Sequence, residues 1–466
     1  MTEPVTFLSR AEALIGSHEA RAVESGIRNF LVRRQNSFAE FPIAEELRDR
    51  ARAIRLLSLR HLDRLLSHFS DRVEEAGGTV HWASDAEEAN RIAAGILQAS
   101  GARLVVKAKS MVSEELEMNH HLEANGITVV ETDLGEFIAQ LAEDTPSHII
   151  APVMHMTRQD VGRRFAEKLG VSYTDDPLEL NRIARTHLRD IFLRADAGIS
   201  GVNLAVAETG SVVVVTNEGN GRYTTTTPRV HIAVMGMERI VSSWEDAAVI
   251  LETLARSATG QHLSVYTNVI TGPRGGEDPD GPEEMHVIVV DNGRSDILSG
   301  DTAEILACIR CGACLNACPV FRTAGGHAYG TVYSGPVGSI VTPGLHGMEP
   351  WWELPYASTL CGACEEVCPV RIQIPTMLLR LRERAAQEGR LPGWLGKGMT
   401  RYADTVSDPM RWQRSKKWAA RLSAPLSSGG WIKRLPGPGR GWTASRDMRR
   451  PAKESFADWW RSNRET

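Results

Sequence analysis

The chain is 466 residues long, and much of what would identify a common enzyme class is missing from it. There is no G-x-S-x-G nucleophile elbow, no P-loop, no H-E-x-x-H and no complete dinucleotide fingerprint, so no organic centre that accepts a hydride is visible. No apolar run approaches the ~20 residues that a membrane-spanning helix needs. The opening MTEPVTFLSRAEALIGS lacks the basic-then-apolar order of a secretory signal, which points to a cytoplasmic protein. Aromatic residues make up only 6%, while 42% hydrophobic and 24% charged residues are ordinary for a globular protein. Cysteine is scarce and odd in number. Seven cysteines cannot all close into intramolecular disulfides, and the chain is too long for a disulfide-stapled scaffold. In a reducing compartment these thiols are free to bind metal.

The net charge of −5 is unevenly spread. Residues 371–466 carry 21 basic and 8 acidic residues and seven of the eleven tryptophans, against an acidic body before them. This stretch reads as a docking surface for an acidic partner face, as a membrane-interface segment, or as a solvated extension. Without a recognisable RNA- or DNA-binding motif, nucleic-acid binding is not expected.

Along the chain, residues 1–77 read as helical, with Leu56, Leu57, Leu59, Leu62, Leu65 and Leu66 forming one apolar stripe. From 78 to 298 the pattern changes to strand–helix alternation. Short apolar runs (TVHWA, RLVVKAK, GITVVETDL, HIIAPVMH) alternate with amphipathic stretches, which predicts an α/β domain around a largely parallel sheet. LELNRIARTHLRDIFLRADAG reads as a long helix, and VNLAVAETGSVVVVT as two strands meeting near Thr209-Gly210. Residues 299–388 hold every cysteine between helical flanks. Residues 389–466, with their Pro and Gly clusters, predict short helices and loops.

The first cysteine motif is Cys308-Ile-Arg-Cys311-Gly-Ala-Cys314-Leu-Asn-Ala-Cys318-Pro319, the C-x2-C-x2-C-x3-C-P spacing of two-cluster ferredoxins. Three thiolates at two-residue gaps wrap one corner of a cubane, and the fourth points to the other cluster. The second motif, Cys361-Gly-Ala-Cys364-Glu-Glu-Val-Cys368-Pro369, matches the first with its leading cysteine replaced by Ser358. Cross-ligation then gives one complete set, Cys308, Cys311, Cys314 and Cys368. The other set, Cys318, Cys361 and Cys364, is one thiolate short. It holds either a [4Fe–4S] cluster completed by Ser358, a carboxylate such as Glu365 or a small molecule, or a [3Fe–4S] cluster. Zinc is the competing reading, but a tetrahedral zinc site takes four ligands, and here four cysteines fall within eleven residues with both motifs ending in Cys-Pro.

In the α/β region, Lys107 and Lys109 end a strand, and Ser110 stands as N-cap of the next helix, together an anion site or a pair of solvated lysines. Asn217-Glu218-Gly219-Asn220-Gly221-Arg222 lacks the third glycine of a dinucleotide motif and reads better as a hairpin turn. Glu218 joins the lysines as a candidate site residue. His155, His231 and His327 read as packed or surface residues.

The segments KAKSM, TDLGEFIAQ, HIIAPVMH, AETGS and TNEGNGR, followed by CIRCGACLNACPVFR, GGHAYGTVYSGPVG and LPYASTLCGACEEVCPVRI, resemble the lactate-utilisation (LUD) iron–sulfur proteins over nearly the whole chain. The resemblance implies a sugar-phosphate isomerase/CoA-transferase-like α/β fold for 78–298 and an α-helical ferredoxin domain after it. It further implies two iron–sulfur clusters, and electron transfer in oxidising L-lactate to pyruvate beside other lactate-utilisation subunits. The sequence also leaves open another 2-hydroxy acid as substrate, a redox-sensing scaffold, and an α/β pocket that is itself catalytic.

Overall fold

A computed structural model describes residues 6–464 and divides the chain into two compact units that part after Arg384. The first unit opens with four helices, Phe7–Leu14, His18–Ala39, Ala44–Arg60 and Leu62–Glu75. Thr6 and Ser17 cap the first two by accepting backbone amides. The leucine run is not one stripe. A break at His61 splits it between two helices, so Leu59, Leu62 and Leu66 are buried while Leu57 is 53% exposed.

Ten strands follow: β1 (Thr79–Ala83), β2 (Leu104–Lys107), β3 (Thr128–Glu131), β4 (Ala197–Gly201), β5 (Leu204–Val206), β6 (Ser211–Thr216), β7 (Val230–Gly236), β8 (Ile240–Val241), β9 (Tyr266–Ile270) and β10 (Glu284–Val290). Six of them form an all-parallel sheet in the order β1-β10-β7-β4-β2-β3. Parallel strands need crossovers, and the helices of those crossovers cover the sheet's faces; hence β7 is buried along its whole length and is apolar apart from His231. From β2 the chain runs one way to β3 and the other way to β4, β7 and β10. That reversal opens a crevice at the carboxyl ends of β2 and β4, where Lys107, Lys109 and Ser110 sit. A smaller sheet, β8-β5-β6-β9, packs its apolar face with the helix Leu62–Glu75.

Three readings of the sequence differ from this architecture. HIIAPVMH is not a strand but a tight loop, because Ser147 and Pro152 close it through a backbone bond of 2.8 Å, and the His148 side chain takes the amides a ladder would use. Asn217–Arg222 is not a hairpin turn. It leads β6 into the helix Asn220–Thr226, with Thr216 Oγ1 donating to Asn220 Oδ1 and accepting from the Glu218 amide. The residues ADAG do not extend the long helix, which ends at Arg194; Ala197 already begins β4.

The rest of the first unit is built from short helices, among them Ala313–Ala317, Pro319–Ala324, Gly335–His346 and Ala363–Glu366. A buried network ties this part to the α/β domain. Arg294 makes two 2.8 Å bonds to Glu115 and one to Glu238, Tyr333 donates to Glu115 at 2.6 Å, and Arg310 lies 4.5 Å over the Tyr333 ring. The second unit contains the helices Gly393–Val406, Pro409–Leu422 and Phe456–Asn463 and a small antiparallel sheet of two-residue strands. Among the described residues no helix is long and apolar enough to cross a membrane.

Candidate metal centres

The two cysteine motifs adopt the same local backbone. In the first, Arg310 and Gly312 flank Cys311 with φ of +57° and +73°; in the second, Leu360 and Gly362 flank Cys361 with φ of +56° and +84°. A left-handed glycine on one side and a left-handed side chain on the other turn the chain sharply around each sulfur. Glycine accepts this without the strain that Cβ brings. Each turn then starts a one-turn helix, and each motif ends in Cys-Pro.

Cys308, Cys311, Cys314 and Cys368 line one small cavity, with Ile149, Ile305, Ile309, Val337, Val370 and Ile372 among its apolar walls. Burial, then the neighbouring Cys308 sulfur, pushes the Cys311 thiol up, and burial with Cys308 and Cys311 does the same to Cys314. Burial sets Cys368 at about 11. Cys318, Cys361 and Cys364 form the second group. Burial and then Cys318 push Cys364 up to about 12, and Cys318 in turn feels Cys361. Cys361 is the exposed member; an amide hydrogen bond from Ala363, then a hydroxyl hydrogen bond from Thr359, draws its pKa down. The groups adjoin. Cys314 feels Cys364, and the buried Tyr329 hydroxyl, pushed up by burial and then by Cys318, also feels Cys314 and Cys364.

Backbone amides point at these sulfurs. Arg310 donates to Cys308 Sγ at 3.3 Å and Ile372 to Cys368 Sγ at 3.4 Å, and amides of Ala313, Val320, Phe321, Ala363 and Glu365 do the same for Cys311, Cys318, Cys361 and Cys364. Such donors stabilise sulfur that carries negative charge. Four thiols around one apolar cavity, and three more beside it, fit a pair of iron–sulfur clusters. That cavity draws cysteines from both motifs, as cross-ligation requires.

Positive charge is concentrated at the first group. Arg34 donates to Val367 O at 2.8 Å, Arg48 to Glu366 O and Cys368 O, Arg239 to Cys308 O, and Arg55 to Ala307, Leu306, Ile240 and Glu238 carbonyls. Burial and then Arg239 hold the Arg55 guanidinium down at about 10, the cost of packing cations together out of water. The same loop that was expected to be a strand closes the cavity. Its Ile149 lines the wall, while His148 Nδ1 accepts from the Ile150 and Ala151 amides and Nε2 donates to Asn316 Oδ1 at 3.1 Å. Burial, then Lys109, holds His148 down at about 3, so it stays neutral. Sequence reading passed over Arg34, Arg48, Arg55, His148 and Tyr329. Arg48, Arg52 and Arg55, spaced four and three apart on one helix face, were the visible signal.

At the sheet's crevice the lysines have separate fates. Lys107 is fully buried and ion-paired to Glu114 at 2.6 Å and Glu131 at 2.8 Å, so its charge is matched inside the protein. The carboxylates of Glu114, Glu131 and Glu136 converge to within 4.8 Å. Burial, then Glu131, pushes Glu136 up to about 8; burial, then Asp133, pushes Glu218 up to about 7. Lys109, whose buried Nζ has no hydrogen-bond partner, influences Glu136, Glu218 and His148 alike. Ser110 caps the helix Met111–Glu115 through the Ser113 amide. The three histidines are packed: His231 bonds Ser200 at 2.8 Å, and His155 and His327 stack edge-on near Asp144.

Residues 66–290 match the LUD domain family and residues 304–372 the 4Fe-4S dicluster domain. Lactate utilization protein B of Shouchella clausii is 46% identical over 90% of this chain and 88% of its own length. The protein of the same name from Bacillus licheniformis is 45% identical over 95% and 93%, and that from Bacillus subtilis 43% over 99% and 96%. A crystal structure of a duf162 family protein from Deinococcus radiodurans aligns with 49% of this chain and 98% of that one, at 18% identity and a TM-score of 0.28.

Proposed function

The chain belongs to the lactate utilization protein B family, and from that premise we propose that it is the iron–sulfur electron carrier of a system oxidising L-lactate to pyruvate. The observation that carries this reading is the adjoining pair of cysteine groups: Cys308, Cys311, Cys314 and Cys368 around one cavity, Cys318, Cys361 and Cys364 beside it. Clusters held there supply one-electron transfer. Oxidation of lactate releases two electrons and two protons, so the carbon chemistry belongs to a partner protein and this chain accepts electrons singly.

The protein's own residues prepare that role. Thiols raised by burial lose their protons when metal binds, and the amides already aimed at the sulfurs then meet thiolates. The guanidinium groups of Arg34, Arg48 and Arg55 offset negative charge at the first group, and Ile149 with its apolar neighbours keeps water away from it. The second group, ending at exposed Cys361, faces outward, where a redox partner can approach.

The second unit supports a docking role of its own. All seven of its tryptophans, from Trp394 to Trp460, are exposed on a strongly basic segment, which suits an acidic partner face. A catalytic reading of the α/β crevice rests on Glu136 and Glu218, whose raised pKa values suit proton transfer near neutral pH. It predicts turnover by the isolated chain and a large rate loss on changing Lys107 or Glu218.

Anaerobically purified protein should contain about eight iron atoms per chain, bleach with dithionite, and lose both properties on Cys→Ser changes. Reduction by L-lactate should require the partner proteins. Stoichiometric zinc without visible absorbance would sink the proposal.

A further inference from the structure

Resting on the cluster reading above, we infer that Ser358 Oγ is the fourth ligand of the second cluster, completing the group formed by Cys318, Cys361 and Cys364. The two motifs share the same left-handed turns around their matching cysteines. Arg310 and Leu360 share a φ near +57° and +56°, and Gly312 and Gly362 are both left-handed. The Arg310 amide donates to Cys308 Sγ at 3.3 Å; the Leu360 amide donates to Ser358 Oγ at 3.1 Å. Ser358 therefore stands where the first motif places a cysteine that lines the cluster cavity, and its side-chain oxygen accepts the same hydrogen bond as that sulfur.

The segment is held in place. Arg382 donates to Ser358 O and to Pro355 O, both at 2.9 Å, and its guanidinium lies 5.0 Å over the Tyr356 ring. The rival carboxylates occupy positions with no ligand counterpart, since Glu365 corresponds to Leu315 and Glu366 to Asn316 in the first motif. On binding iron, the Ser358 hydroxyl gives its proton to solvent, the Oγ–Fe bond forms and a water leaves that iron; no electron is transferred. Oxygen is a harder donor than thiolate, and Ser358 is only half-buried, so this iron is the one held least tightly.

The test compares full-length wild type with Ser358→Ala and Ser358→Cys, loaded anaerobically with ⁵⁷Fe²⁺ and sulfide. Iron and labile sulfide are counted, and EPR and Mössbauer spectra recorded. Wild type should hold about eight irons, one with Mössbauer parameters distinct from the other seven. Ser358→Ala should hold about seven, with an oxidised [3Fe–4S] EPR signal. Ser358→Cys should restore eight and erase the distinct iron, and should keep the eighth iron at least about tenfold longer in air. Eight irons and an unchanged spectrum in Ser358→Ala overturn the assignment while leaving the clusters standing. So does a wild type with seven irons and a [3Fe–4S] signal, or eight irons none of which changes in Ser358→Cys. A wild type without iron overturns the cluster reading itself. Should Ser358→Ala fail to fold, the wild-type and Ser358→Cys spectra decide alone.

Discussion

The two cysteine motifs share a backbone but not an environment. At the first, a Cβ on Gly312 would meet Ile150 at 3.0 Å and His148 at 3.4 Å; at the second, a Cβ on Gly362 would meet nothing within 4 Å. Around the first lie Arg34, Arg55 and Arg239, held down chiefly by burial, Arg48, fixed on motif carbonyls, and Arg310, raised against its burial by Tyr333, Cys308 and Glu238. The second is anchored chiefly by Arg382 and presents Cys361 to solvent. The difference teaches that the turn geometry is local and repeatable, whereas charge and water access come from whichever elements pack on it. One site is mostly interior and the other a contact point.

The comparison breaks most readily at Arg55. Arg55→Met should destabilise the protein by about 3–5 kcal/mol, because it leaves the carbonyls of Ala307, Leu306, Ile240 and Glu238 facing a buried space without their donor. Arg382→Met at the second motif, on a partly exposed residue, should cost only about 1 kcal/mol. Denaturant midpoints of the metal-free protein measure both, and equal costs would erase the contrast. Next in size are the glycines. Gly312→Ala should cost about 2–3 kcal/mol from left-handed strain plus the Ile150 contact, and Gly362→Ala about 1 kcal/mol from strain alone. The same midpoints test this.

Thiol labelling sharpens the contrast in rate. In metal-free protein Cys361 is exposed and its thiolate favoured, so a soluble alkylating reagent should modify it more than about tenfold faster than Cys311 or Cys314. Peptide mapping over time would show it; uniform labelling would mean the first cavity is open.

The smallest effect is with pH. The first site backs, through His148 and Lys109, onto a titrating cluster. Glu136 is raised in the folded protein, so the folded state holds a proton that the unfolded chain releases above its ordinary carboxyl range. Stability is therefore fully present at acid pH, where both states are protonated, and is lost as pH rises through about 8. Between pH 6.5 and 7.5 the metal-free protein should lose about 1 kcal/mol, and Glu136→Gln should flatten the curve. Thermal melts across that range are the check.

What was legible in the sequence was what depends on near neighbours along the chain. The cysteine spacings, the Ser358 gap, the long helix before Arg194 and the strands flanking Thr209-Gly210 all follow from local pattern. Residues 147–152 defeated the same reasoning. An isoleucine pair beside valine and proline carries strand-like content, yet its apolar side chains are used to wall a cavity formed by residues more than 150 positions away. Arg48, Arg52 and Arg55 look like the solvated face of an amphipathic helix until the carbonyls of residues 366–371 and 306–307 are placed against them. Lys107 read as part of an anion site or as a solvated strand end; the carboxylates that bury it arrive from a short helix and the next strand. In each case the missing information was a partner supplied by tertiary packing.

The exchange of cysteines between the motifs also governs when either site can exist during synthesis. Cys368 lines the cavity of Cys308, Cys311 and Cys314 although 54 residues separate it from Cys314. A nascent chain halted before Cys361 has the first three thiols but no closing fourth, and its Cys318 has no other thiol of its group. Emergence of the eight residues from Cys361 to Cys368 then supplies what both sites lack, so the two are completed within the same short stretch of translation rather than one after the other.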